Sequence, residues 1–168
     1  MIINGESQGR VSNMGTKRLG IARITALINA NTNQVDVGYI NTKVVAADTT
    51  LTVADSGKVI LMGADGIDIT LPAAAAGLNF TVILTADYAN NPCTVVQAAA
   101  TEDFYGAVYG STQGESAGTD ADVAAASNTK ITFSSASLKG DRVRLISDGT
   151  GWYVEAFVQN YAGVTFDN

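Results

Sequence analysis

The chain has 168 residues, enough for one domain with a hydrophobic core and few for two. Charged residues make up 15%, under the ~25% of an average soluble protein, so the surface is built from Thr, Ser, Asn, Gly and Asp or is covered by partners. No apolar stretch reaches the ~18 residues of a membrane span, and the absence of histidine removes the usual neutral-pH base and the commonest zinc ligand.

Residues 1–18 are polar and glycine-bearing, lack periodicity and read as an extended arm. Residues 19–46 are ambiguous. Ile21, Ile24 and Ile28 fit a helical stripe, whereas Ile24, Ala26, Ile28 and Ala30 fit strand alternation, which the Ile and Thr enrichment favours. The run Leu19–Ala30 follows two basic residues, but Arg23 interrupts it, so it is not expected to be a signal peptide. Val35, Val37 and Tyr39 alternate with Asp36 and Gly38 and predict a strand, and Asn29–Asn33 has turn composition that could make a hairpin of the two.

Charge divides along the chain. Residues 1–47 carry Arg10, Lys17, Arg18, Arg23 and Lys43 against Glu6 and Asp36, a net of +3, whereas residues 48–168 carry a net of −9. A basic arm on an acidic body points to an acidic protein surface as the arm's target. Nucleic acid is disfavoured, because phosphates repel the body. Chance clustering of basic residues is the plain alternative.

From residue 49 the strand signal is dense. Leu51 and Val53 lead to an Asp55-Ser56-Gly57 turn, Lys58–Met62 is a β-rich run, and Asp65-Gly66 marks another turn. Ile67, Ile69 and Leu71 then alternate with Asp68 and Thr70, which puts the three apolar side chains on one face. Pro72 ends that strand and Ala73–Ala76 with Gly77 forms a short crossing. Phe80, Val82 and Leu84 alternate next, Asn90-Asn91-Pro92 turns the chain, and Thr94–Gln97 is a further strand. Cys93, the sole cysteine, sits in an apolar run and reads as a buried packing residue.

Residues 98–128 are rich in Ala, Gly, Ser, Thr and acids and read as a long loop or insertion, with Phe104, Tyr105 and Tyr109 as its aromatic exceptions. Tyr105 and Tyr109 are candidates for a surface aromatic patch that stacks on sugar or contacts protein. The alternative is that Phe104 and one tyrosine plug an end of the core. The β pattern returns with Ile131 and Phe133. In Asp141–Ile146, Val143 and Leu145 fall on one face and Arg142, Arg144 and Ile146 on the other. Asp148-Gly149 signals a hairpin into Trp152, Val154 and Ala156. Short strands between Gly and Asx turns predict an all-β fold, a sandwich or jelly-roll-like barrel at 48–168, carrying an extended basic N-terminal arm within 1–47.

Catalytic and metal patterns are sparse. The phosphate-loop and dinucleotide fingerprints are absent, and one cysteine without histidine forms no familiar zinc site. Glu102-Asp103 would point to opposite faces of a strand, against a paired-carboxylate mechanism. Asp120 and Asp122 have the spacing of calcium ligands in a loop, but a solvated acidic loop is the simpler reading. The chain therefore reads as non-enzymatic, with no cofactor, no metal, no nucleic-acid partner and no membrane segment.

Two passages carry a resemblance. Thr70-Leu71-Pro72 followed by Gly77-Leu78-Asn79-Phe80, and Gly140-Asp141-Arg142-Val143 followed by Ser147-Asp148-Gly149 and Trp152-Tyr153, resemble a pattern of tailed-bacteriophage virion structural proteins, over about residues 49–97 and 130–158. The resemblance implies a virion protein, often a homotrimer, and no catalytic residues. A short chain without internal repeats and with a basic arm looks like a capsid decoration or cementing protein rather than a tail fibre. It would bind the major capsid protein on the capsid exterior through Arg10, Lys17, Arg18 and Arg23. A tail or fibre adaptor and a host-glycan receptor-binding module are the alternatives.

Overall fold

The computed structural model describes residues 40–87, 90–110 and 128–167. The arm, its four basic residues, the strand expected at Val35–Tyr39, and Asp120 and Asp122 lie outside the described residues. The β body forms one unit from Asn41 onward. Lys43, which the charge division groups with the arm, therefore belongs to the body.

The described strands are β1 (Thr42–Val45), β2 (Thr49–Thr50), β3 (Val59–Met62), β4 (Asp68–Thr70), β5 (Asn79–Leu84) and β6 (Cys93–Val96), then β7 (Phe104–Gly110), β8 (Lys130–Phe133), β9 (Arg142–Ser147), β10 (Trp152–Val158) and β11 (Val164–Asp167). They make a six-stranded sheet in the order β1-β3-β5-β9-β10-β7 and a five-stranded sheet in the order β11-β8-β6-β4-β2. The inner faces of the two pack together, so the fold is an all-β sandwich.

Both sheets are mixed. From β1 to β9 the chain changes sheet at every step, so β1, β3 and β5 lie parallel in one sheet and β2, β4 and β6 parallel in the other. This winding separates the fold from a jelly roll, whose ladders are antiparallel. The turn signals at Asp55–Gly57, Asp65-Gly66 and Pro72–Gly77 are corners between sheets, not hairpins. Asp148-Gly149 does make the expected hairpin, joining β9 to β10 antiparallel, with Gly149 at φ 102°.

Period-two alternation gives each sheet one apolar face. Phe80, Val82, Leu84, Val143, Leu145, Trp152, Val154 and Ala156 project inward from the six-stranded sheet onto Ile69, Cys93, Val95, Ile131 and Phe133 of the other. Trp152 packs against Phe80 with ring centroids 5.8 Å apart. Full burial of each large side chain stabilises by about 1.5–3 kcal/mol. At the corner after β2, the buried Asp55 carboxylate accepts bonds from the Thr52 N–H (3.0 Å) and from the Lys43 and Lys58 ammoniums (2.9 Å each). That carboxylate thereby ties edge strand β1 to the body.

Residues 98–128 are not one loop, because Phe104–Gly110 within them forms β7, parallel to β10. Gly106 explains both facts. A Cβ there would overlap the Val154 carbonyl of β10, so the close pairing needs glycine. The same glycine weakens the strand signal in the sequence.

Candidate functional site

The outer face of the six-stranded sheet is ordered in rows by the strand register. One row runs Tyr105, Tyr153, Ile146, Asn79 across β7, β10, β9 and β5. The middle row runs Ala107, Glu155, Arg144, Thr81. The third runs Tyr109, Phe157, Arg142, Ile83 and continues through Leu61 to Val44 at the far edge. It crosses all six strands, a distance of about 24 Å. Tyr109 is 56% exposed, Tyr153 53% and Phe157 42%, so these are large apolar groups facing water.

The aromatics meet in two pairs. Tyr105 and Tyr153 lie 6.2 Å apart between centroids, and Tyr109 stacks on Phe157 at 5.4 Å. Arg142 places its guanidinium carbon 4.9 Å above the Phe157 ring. Arg144 meets Glu155 at 3.5 Å in the middle row. Small Ala107 and Gly106 separate the aromatic pairs, and a groove of about 480 Å³ lies between them, flanked by Arg144 and Ile146.

The hairpin fixes one end of this face. Asp148 accepts bonds from the Thr150 N–H (2.8 Å), the Thr150 hydroxyl (2.8 Å) and the Gly151 N–H (3.0 Å), which hold its carboxyl at about 2. Its other oxygen accepts the Tyr153 hydroxyl at 3.1 Å, and this bond to a carboxylate pushes the Tyr153 phenol up from its ordinary value. Tyr153 is thereby oriented from the turn.

Of the residues singled out in the sequence, Tyr105 and Tyr109 both lie on this face, while Phe104 is fully buried. Tyr153, Glu155, Phe157, Arg142 and Arg144 complete it. Their signal was the alternation with buried Trp152, Val154, Val143 and Leu145. Glu102 does not face Asp103. It is buried and accepts the Ala74 N–H at 2.9 Å, and Asp103 accepts the Tyr105 hydroxyl at 3.3 Å. Among the described residues no cluster of three or more potential metal ligands occurs.

Comparison with family models, characterised proteins and solved structures finds no match. The arrangement is one of aromatic rings, aliphatic side chains and guanidiniums on one sheet face. Aromatic rings and guanidiniums dominate the binding energy of protein interfaces, where lysine is depleted.

Proposed function

We propose that the chain is a non-enzymatic structural protein of a bacteriophage particle, a decoration protein that binds and stabilises the outer capsid surface. The observation that carries this reading is the apolar, aromatic outer face of the six-stranded sheet. A lone soluble domain gains nothing by exposing such a row across six strands, whereas a component of an assembly covers it. The low charged content of the whole chain supports the same reading. So does the overlap between the virion-protein resemblance, at about 49–97 and 130–158, and strands β2–β6 and β8–β10.

In this account the basic arm, with Arg10, Lys17, Arg18 and Arg23, lies against acidic major capsid protein, and the β body stands as a knob whose exposed face contacts protein. Adding full-length chain to particles that lack it should give stoichiometric binding and raise their resistance to heat. A chain lacking residues 1–23 should bind at least about tenfold more weakly, since each attachment contributes to avidity. Equal binding by the two would contradict the role of the arm.

The groove favours one second reading, a host-glycan receptor-binding module. Its volume of about 480 Å³ and its aromatic walls suit a small saccharide. Under that reading Tyr105→Ala and Tyr109→Ala abolish binding to host cells and leave capsid attachment intact.

A further inference from the structure

We propose that the occupant of the outer face of the six-stranded sheet is a second copy of this chain, related by a two-fold axis running along the strands between β9 and β10. The inference rests on reading that face as a protein-contact surface. It is carried by the order of side chains in the three rows.

An axis in that position exchanges β9 with β10 and β5 with β7 of the second copy. In the middle row Arg144 and Glu155 are neighbours on β9 and β10, so each arginine comes to lie over the glutamate of the other copy. In the third row Arg142 lies over Phe157, repeating between copies the cation–π contact already made within one copy. In the first row Ile146 lies over Tyr153. One step outward, Ile83 meets Tyr109, Asn79 meets Tyr105, and Thr81 faces the groove above Ala107. Arg144 and Glu155 each meet an opposite charge, Arg142 meets a ring, and Ile146 and Ile83 each meet a tyrosine.

A two-fold axis along the middle row instead sets Glu155 on Glu155 and Arg144 on Arg144. Like charges face to face are destabilising and act against that arrangement. The charge order therefore favours the axis along the strands over one along the middle row. The sandwich already packs two β-sheets face to face, and the pairing adds a third and fourth layer by the same geometry.

The opposed patch is four strands wide and three rows deep, roughly 19 Å by 20 Å, which is smaller than the ~800 Å² per partner of a standard stable complex. Association is therefore weak in dilute solution. It becomes effective where copies are held side by side on a particle, at a local concentration in the millimolar range.

The test is sedimentation equilibrium of the full chain from low micromolar to roughly millimolar concentration. The expected result is a rise from one chain to a limiting mass of two. Arg144→Glu and Glu155→Arg should each weaken association at least about tenfold, with only a small drop in melting temperature, since both side chains are exposed and lose a single cross-strand ion pair. Mixing the two variants in equal amounts should restore pairing, since one face then carries two carboxylates and the other two guanidiniums. A single-chain mass throughout, a limiting mass of three chains, or a mixture that fails to pair would each overturn the two-fold pairing. Particle binding by a chain that stays monomeric would overturn the pairing alone and leave the decoration role standing.

Discussion

Phe157 is held between two partners on the outer face of the six-stranded sheet: Tyr109 of β7 stacks on it at 5.4 Å, and Arg142 of β9 lies over its ring. The contact joins residues 48 positions apart in the chain through the parallel β7–β10 pair. Phe157→Ala should cost about 0.5–1.5 kcal/mol of stability, the scale of an exposed aromatic contact. Attachment to the particle should fall by about tenfold or more, because weaker pairing between copies lowers avidity. Parallel melting and particle-pelleting measurements separate the two effects.

Gly106→Ala should be far more damaging than its half-buried setting suggests. The added methyl meets the Val154 backbone, so β7 must move away from β10, at about 3 kcal/mol or more. Gly57→Ala is the control. Gly57 has φ 82° with open space around it, and its substitution should cost only about 1–2 kcal/mol. Chemical denaturation of the two variants checks the difference.

Acid should loosen the corner that anchors β1. Burial alone pushes the Asp55 carboxyl up, but the Lys43 and Lys58 ammoniums and the Thr52 N–H and hydroxyl outweigh it and hold the group well below its ordinary 3.8. A carboxyl depressed in the folded state adds stability above its unfolded value, and that stability is lost as pH falls below it toward the folded value. The melting temperature of the wild type should therefore drop on acidification below about pH 4, and that of Asp55→Asn should drop less. At neutral pH the same substitution should cost about 2 kcal/mol, discounted because both lysines are partly exposed.

Much of this sandwich is legible in the sequence. At 67–71, 80–84, 142–146 and 152–156 one sheet face is buried, so the apolar residues alternate and the burial follows them. The winding is not legible, because a corner between sheets and a hairpin within one call for the same residues. Asp65-Gly66 and Asp148-Gly149 look alike, yet the first sends the chain to the other sheet and the second turns it back. β7 is hidden by Gly106 and Gly110, whose missing side chains allow the close approach. Tyr105 and Tyr109 stand out as aromatics in a small-residue stretch. Alternation puts Tyr153 and Phe157 on the outer face, but their pairing with Tyr105 and Tyr109 emerges only once the parallel register of β7 on β10 is known.

The most direct test of the decoration role is immunogold electron microscopy of the intact parent particle, with an antibody against this chain. The account predicts label spread over the head. Label confined to the tail or its tip, or no label on intact particles, would contradict it.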